Sequence, residues 1–431
     1  MARSSEAPAS AAASGQASRS TLFVASPLLL LILVDAVGFA MLTPLLASAL
    51  AEGSGAAIQV GLSPTQRPLV YGIGTGIYPI MTFVGAPILG QLSDRLGRKT
   101  ILLVCAVGIV ASYITISAAF ALGSVALLMV GRFVGGATAA SQAVSLAALV
   151  DASPPRHKDF WLSMGLLCSS SGFVLGPALS GFLSDAEIMP WFSLLTPLYV
   201  TALVAAINVL MLAWLFHDRG RRVAAAAPFT LLSGVRSFVS AFSRPGALRD
   251  VSWVFLLQEL AWGAYFYFIP VFLLDRYSAS GRVASYFMSV MGVGFCLSFA
   301  VAMPLLTKFF STRAITFWSL VATAALIAVS ALAPSMSVQW VVILPISVAT
   351  AVSYGALIIL FTDTATEETK GEVMGITAAI NSLSFGSISV LGGGLEELAA
   401  GSPIFVALAL MTLSALVFGL QILRSSTQRG A

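Results

Sequence analysis

The sequence predicts an all-α membrane protein with twelve transmembrane helices in two six-helix bundles. Of its 431 residues, 58% are hydrophobic and only 9% are charged. A soluble domain carries roughly 25% charged residues, so lipid must surround most of this chain. Its apolar runs are continuous over roughly 20 residues, the length a helix needs to cross a bilayer, whereas barrel strands alternate polar and apolar residues.

Twelve such runs follow one another along the chain. We place them at residues 24–50, 68–91, 99–120, 123–151, 159–183, 190–216, 250–275, 283–307, 313–333, 338–362, 371–395 and 403–424. An even number of spans puts both ends on one side of the membrane. Arg132 lies within a span and three arginines lie in one set of loops, so the other 18 of the 22 Lys and Arg residues lie in the opposite loops and the tails. This bias predicts a protein of the inner (plasma) membrane with both termini in the cytoplasm.

The runs and the segments between them divide the chain into five parts. A basic loop in the middle separates two sets of six spans, and the Ala/Ser-rich start has no periodicity, which is typical of a disordered tail. The first apolar run could be read as a signal peptide, but it is too long and contains Asp35. The predicted parts are a disordered cytoplasmic tail (1–22), a first bundle (23–216), a cytoplasmic linker (217–249), a second bundle (250–424) and a cytoplasmic tail (425–431).

A short polar run at residues 90–99 separates the second and third apolar runs. Four of its side chains are charged: Asp94, Arg95, Arg98 and Lys99. Because charges are costly in lipid, we predict a tight loop on one membrane face, where Gly90 and Gly97 allow close helix approach and a turn. The run resembles the signature loop of the major facilitator superfamily, and it matches that consensus except at Ser93, where the family prefers Ala.

The resemblance implies a transporter whose gate includes this loop. In the family the equivalent of Asp94 approaches the start of the eleventh helix, here Thr369–Glu372, and Arg98 can reach an acid at the end of the fourth, here Asp151. These contacts would form only when the cytoplasmic ends are closed, so we expect them to stabilise the outward-open state. The alternative is that the charges merely anchor the loop at the lipid headgroups.

The fifth run contains a second motif, made of Gly172, Gly176, Pro177 and Gly181. Small residues at this spacing form a flat face for close helix contact, and proline permits a kink. The motif resembles the antiporter motif of drug exporters in the same superfamily, with Ser180 replacing one glycine. In those proteins it is associated with efflux. A generic packing groove is the alternative interpretation.

Two charged residues in the first bundle are candidates for proton coupling. Arg132 lies in a Gly-rich stretch that resembles a fourth-helix motif linked to proton coupling, although an arginine near a helix end can also reach the membrane interface. Asp35, with Pro44 on the same helix, resembles the first helix of tetracycline exporters. A carboxylate in an alternating cavity can take up a proton from one side and release it to the other, and Arg132 opposite it would hold it ionised. The alternative for Asp35 is a fixed hydrogen-bond acceptor.

Glu259 is the second acid within an apolar run. By helical spacing it shares a face with Trp262 and Phe266. An acid beside aromatic rings suits a planar or cationic amphiphile, so we predict that these three residues line the substrate cavity and that Glu259 is a second candidate for proton coupling. An interfacial aromatic belt is the alternative. The prediction rests on the residues themselves and not on the family pattern.

Other classes of function find no support in the sequence. It has no Gly-rich phosphate loop with Lys, so ATP is not expected to drive transport. The cysteines, Cys105, Cys168 and Cys296, lie within the runs without metal-ligand spacing, so we expect no metal, cofactor or disulfide. The basic residues form no continuous stripe for nucleic acid, and no nucleophile–base pair of an enzyme can be assembled.

We therefore expect a monomeric secondary transporter that resembles the drug:proton antiporters, the branch of tetracycline and multidrug exporters. It would carry a small amphipathic compound by alternating access in exchange for protons. One alternative is an uptake or exchange permease for a natural metabolite such as a siderophore or sugar. Another is a transport-inactive membrane sensor, against which the intact run at 90–99 argues.

Overall fold

The computed structural model describes residues 7–153, 157–218, 233–243, 246–366 and 369–427. The regular structure in these residues is helical. The α-helices are α1 (Ala7–Leu50), α2 (Gln66–Leu96), α3 (Arg98–Leu122), α4 (Val125–Ala137), α5 (Ser141–Ala152), α6 (Lys158–Leu183), α7 (Thr196–Leu215), α8 (Ser233–Ser243), α9 (Ala247–Tyr277), α10 (Gly281–Leu297), α11 (Met303–Phe309), α12 (Thr312–Leu332), α13 (Met336–Asp363), α14 (Lys370–Leu398) and α15 (Ser402–Thr427). A short 3-10 helix covers Ala57–Gln59 and a π-helix covers Ser298–Ala302.

Twelve segments of the described residues are long and apolar enough to cross a membrane. They confirm the predicted all-α membrane architecture, and their ends lie within a few residues of the predicted runs. Two spans are not continuous α-helices. The fourth breaks between Ala137 and Ser141, and the eighth passes through the π-helix between α10 and α11.

Successive spans alternate in direction, so their ends lie on two faces. We call these the Gly97 face and the Arg282 face, after one residue on each. The chain turns at Gly97, whose φ of 95° is one that side-chain-bearing residues rarely adopt.

The polar run at 90–99 is mostly helical, which corrects the prediction of a loop. Helix α2 continues to Leu96, so the break is the single residue Gly97. Its 31 residues exceed the roughly 20 needed to cross lipid, so the charged end can protrude while remaining helical. Gly90 was predicted to allow close helix approach, but no atom lies within 4 Å of the position that its Cβ would take.

The first six spans meet the last six along α2 with α14 and along α6 with α10. The hydroxyls of Thr75 and Ser389 are 2.6 Å apart. A Cβ on Gly292 would lie 2.5 Å from the Phe173 carbonyl, which shows how closely α10 approaches α6. Both contacts lie in the part of the membrane nearer the Arg282 face.

The Arg282 face is closed by contacts between the two sets of spans. The guanidinium of Arg282, at the start of α10, pairs with Asp185 and lies 3.3 Å from Glu187, both in the loop after α6. Beside it, a Cβ on Gly281 would lie 2.8 Å from the Cβ of Ser48 at the end of α1. Opening this face therefore requires the ion pairs to break.

Part of the predicted disordered tail is helical in the structure. Helix α1 extends back to Ala7, so residues 7–22 continue the first span. Alanine is the strongest helix former, and this stretch can extend a helix that the membrane span has already nucleated. Residues 1–6 lie outside the described residues.

The predicted linker also contains a helix, α8. Its Gly234 packs against α2, where a Cβ would lie 2.7 Å from the Phe83 carbonyl. The ring of Phe238 lies edge-on to that of Phe83, at 6.4 Å between centroids. Residues 219–232 and 244–245 of the predicted linker, and residues 428–431 of the predicted C-terminal tail, lie outside the described residues.

Candidate functional site

Asp35 lies in the middle of α1 and is held by two hydroxyl groups. Tyr78 Oη on α2 donates to one carboxylate oxygen at 2.9 Å, and Ser141 Oγ donates to the other at 2.5 Å. Ser141 is the first residue of α5, which exists because the fourth span breaks just before it. The partial positive charge of that helix N-terminus is favourable to a carboxylate.

Arg132 is buried, with 3% of its surface exposed, and its side chain bonds to the backbone of α2. Its Nε donates to the Gly74 carbonyl at 2.8 Å and its Nη2 to the Thr75 carbonyl at 3.2 Å. Pro79 has no N–H, so the Thr75 carbonyl lacks its usual helical donor. Arg132 supplies that donor. The alternative of an arginine reaching the membrane interface is therefore wrong.

Glycines bring α4 close enough for this contact. A Cβ on Gly136 would lie 2.8 Å from the Cβ of Met81 on α2, and one on Gly131 would lie 2.7 Å from Ile116 on α3. Small residues of this kind permit close helix packing in membranes. The Gly-rich stretch around Arg132 thus sets the position of the guanidinium.

Asp35 and Arg132 are connected through Tyr78 and not by a direct ion pair in the described residues. The guanidinium carbon of Arg132 lies 4.7 Å from the centre of the Tyr78 ring, while the hydroxyl of the same ring bonds to Asp35. The prediction had placed the two charges opposite each other. The cation–π contact with the ring adds to the two carbonyl acceptors in stabilising the buried positive charge.

Glu259 is buried in the second set of spans, with 1% of its surface exposed. The side-chain amide of Asn381 on α14 donates to its carboxylate. Trp262, one turn further along α9, packs against Phe295 of α10 with ring centres 5.3 Å apart. Trp262 and Phe266 are both buried, so the alternative of an interfacial aromatic belt is wrong.

A layer of aromatic rings joins the two sets of spans. Phe39 on α1 stacks on Phe266 on α9, with ring centres 6.1 Å apart and an interplanar angle of 5°. Phe173 lies edge-on to both rings, and Phe385 on α14 lies 6.1 Å from Phe266. Phe266 thus faces the first set of spans rather than lipid.

Asp94, Arg98 and Lys99 of the 90–99 run bond within the first six spans. Arg98 lies 2.9 Å from Asp94 and 3.4 Å from Asp151. Its Nη1 also donates to Ser93 Oγ at 2.6 Å, and Lys99 donates to the Ala213 carbonyl at 2.7 Å. The predicted reach of Arg98 to Asp151 is present, whereas Asp94 pairs with Arg98 in this conformation.

The glycines of the motif in the fifth span form a groove for α1. A Cβ on Gly172 would lie 2.8 Å from the backbone of Ala36 and Val37, directly after Asp35. A Cβ on Gly176 would lie 2.5 Å from the Val37 carbonyl, and Gly181 faces Ser285 on α10. The groove fixes the backbone that presents Asp35, and Pro177 is buried in the same helix.

Sequence reasoning missed several polar residues at this site. Tyr78, Ser141 and Asn381 all lie inside apolar runs, and each contacts one of the two buried acids. Their polarity within a span was the available signal. Nothing local shows that residues 381 and 259, 122 positions apart, meet.

Residues 28–389 match the model of the Major Facilitator Superfamily. The tetracycline resistance protein of class E from Escherichia coli is 27% identical over 190 residues, which cover 44% of this chain and 43% of that relative. The chain thus matches less than half of the length of that relative. The class D protein from Salmonella ordonez is 26% identical over 317 residues, covering 73% of this chain and 75% of the relative.

A solved structure has the same fold over nearly its whole length. The crystal structure of the human organic anion transporter MFSD10 aligns with a TM-score of 0.66 at 18% identity, covering 92% of this chain and 99% of that one. At this identity the likeness concerns the fold alone. The family and the fold are those of membrane transporters that carry small molecules, and this chain belongs to the Major Facilitator Superfamily.

Proposed function

We propose that this protein exports a small amphipathic compound in exchange for protons, with Asp35 as the group that carries the proton. The observation that supports this most directly is a carboxylate within a span whose hydrogen-bond partners are two hydroxyls, Tyr78 and Ser141. A carboxylate held in this way can gain and lose a proton without breaking an ion pair. The carboxylate can then be protonated when it is accessible from one side of the membrane and ionised when it is accessible from the other.

Tyr78 couples that change to the helices around it. Hydrogen bonds to an ionised acceptor are stronger than those to a neutral one. Protonation of Asp35 therefore weakens its bond with Tyr78, whose ring also contacts Arg132. The protonation state of Asp35 would in this way alter the contact of α1 with α2 and α4.

We assign the Gly97 face to the cytoplasm, because most Lys and Arg residues lie in the loops and tails on that side. The closed Arg282 face is then the outer one. In support, Gly72 and Gly393 touch near the outer ends of α2 and α14, whereas Gly90 and Gly371 near the inner ends have no atom within 4 Å of their Cβ positions. The compound would enter from the cytoplasm and leave when the outer face opens.

The run at 90–99 acts as the inner gate in this scheme. When the inner ends close, Asp94 would leave Arg98 and approach the start of α14, where a helix N-terminus favours a carboxylate. Arg98 would keep its contact with Asp151, which is already formed while the Arg282 face is closed, so this contact does not depend on closure of the inner ends as the resemblance had implied. The antiporter-like glycines at 172–181 favour export over uptake, and they also position α1 at Asp35.

Transport in proteoliposomes tests the coupling, with tetracycline as the first probe. We expect a proton gradient to drive the probe in the direction opposite to the protons. Asp35→Asn should abolish this gradient-driven transport, while Asp363→Asn, which removes an exposed acid at the end of α13, should not. Gradient-driven transport that persists in Asp35→Asn would exclude Asp35, and movement of probe and protons in the same direction would favour an uptake permease.

Orientation is tested separately by labelling with an impermeant thiol reagent added outside intact cells. The reagent should reach Ser54→Cys, in the loop after α1, and should not reach Ser237→Cys, on α8. The reverse pattern would overturn the assignment of the two faces.

A further inference from the structure

Glu259 is a buried carboxylate that pairs with no Lys or Arg in the described residues. The contact given to its carboxylate by α14 comes from the neutral amide of Asn381. An unpaired negative charge in a dry interior is costly unless a cation or further donors compensate it. Either a proton on the carboxylate or a bound cation must therefore compensate this charge.

A second acceptor beside Glu259 lacks a donor. The side chain of Gln258, the residue before Glu259 on α9, is 1% exposed. Its carbonyl oxygen, Oε1, is buried without a hydrogen-bond partner. A buried acceptor without a donor is destabilising, so such groups are uncommon and mark places where water, an ion or a ligand can supply the donor.

The surroundings of these acceptors are aromatic and border accessible space. Tyr354 on α13 packs against Phe255, one turn before Glu259 on α9, with ring centres 5.7 Å apart. On the same helix as Glu259, Trp262 packs against Phe295 of α10, with ring centres 5.3 Å apart. Asn381 and Tyr354 are each half-buried, so the cluster is not sealed inside the protein.

From this arrangement we propose that Glu259 and Gln258 bind the protonated amine of an aromatic substrate, with Trp262 against its ring. This inference rests on the proposed transport function, since it names the class of compound that is carried. The amine supplies the positive charge that Glu259 lacks, and its N–H supplies the donor that Gln258 lacks. Because an N–H is needed, the site distinguishes protonated amines from quaternary ammonium compounds of the same charge.

Equilibrium binding to the purified protein in detergent, without a proton gradient, tests the site. Tryptamine has an indole ring and an ammonium group with N–H donors, and its N,N,N-trimethyl analogue has the same ring and charge without them. We expect tryptamine to bind at least about tenfold more tightly, the effect of losing a hydrogen bond to a charged group. Equal binding of the two, no binding of tryptamine, or preferential binding of indole-3-propionate, an organic anion, would overturn the proposal.

Variants identify the residues. Glu259→Gln should weaken tryptamine binding about tenfold or more, and Gln258→Leu should weaken tryptamine but not its trimethyl analogue. If Glu259→Gln fails to fold, Glu259→Asp replaces it: this variant keeps the charge but draws the carboxylate back by one methylene, so tryptamine binding should weaken. Glu397→Gln removes an exposed acid near the end of α14 and should bind tryptamine normally. Unchanged binding in folded Glu259→Gln would refute the site.

The result is independent of the transport experiment. Tryptamine binding without gradient-driven transport would refute the proposed export function and leave the amine site standing. Gradient-driven transport of tetracycline by a protein that does not bind tryptamine would refute the amine site alone.

Discussion

Arg132 donates a hydrogen bond to the carbonyl of Thr75, the carbonyl that Pro79 leaves without its helical donor. A residue on α4 thus completes the backbone bonding of α2 at a proline. Within a membrane, where no water can replace the missing donor, freed carbonyls must find a partner inside the protein. This contact fixes α4 on α2 beside the Tyr78 ring that also holds Asp35.

Arg132 and Pro79 should therefore be coupled energetically. Arg132→Lys keeps the charge but replaces the planar fork, whose Nε and Nη2 each reach one carbonyl, with a single nitrogen, so we expect a lower melting temperature. In Pro79→Ala the substituted residue can donate to the Thr75 carbonyl, which makes part of the Arg132 contact redundant. A double-mutant cycle measured by reversible unfolding should show a coupling of about 0.5–1.5 kcal/mol. Additive effects would mean that the Thr75 contact contributes nothing.

Gly172 should be essential for the packing of α6 on α1. In Gly172→Ala the new methyl group would lie 2.8 Å from the backbone of Ala36 and Val37, so the helices must separate beside Asp35. We expect a loss of several degrees in melting temperature together with most gradient-driven transport. Gly394→Ala on α14 is the matched control, because nothing lies within 4 Å of its Cβ position. Similar effects of the two changes would show that helix propensity, not packing, matters.

The ion pair between Arg282 and Asp185 should hold the Arg282 face closed. Arg282→Glu places a negative charge against Asp185 and Glu187, so this face should open more often. The measurement is the labelling rate of Ser48→Cys, which packs beside Gly281 and should react faster in the Arg282→Glu background. Adding Asp185→Arg restores the opposite charges and should return the rate towards its original value. A rate that the second change leaves raised would argue against the ion pair.

The Gly97 face should close when the Arg282 face opens. Cysteines at Ser93 and Thr369, on α2 and just before α14, should cross-link more when the Arg282 face is held open, for example in Arg282→Glu. The reason is that opening one face of an alternating-access transporter brings the other ends together. The same yield in both backgrounds would show that the 90–99 run does not form the gate.

The twelve spans were predictable because the signal for each is local. A bilayer requires about 20 apolar residues per helix, and every such run is visible in the chain without knowledge of its neighbours. Asp35, Arg132 and Glu259 were visible for the same reason, since a charge inside an apolar run is costly and stands out. The reach of Arg98 to Asp151 followed from the resemblance of the 90–99 run to its family.

The contact partners of the charged residues were decided by the tertiary structure alone. The break before Ser141 has no proline or glycine between Ala137 and Ser141, so the sequence did not indicate it. The helical course of α2 through Asp94 depends on how far its end protrudes from lipid. The partners of the buried charges, Tyr78 for Asp35 and Asn381 for Glu259, come from helices distant in sequence. Sequence shows the cost of placing a charge in the membrane, but only the packed helices show which groups compensate it.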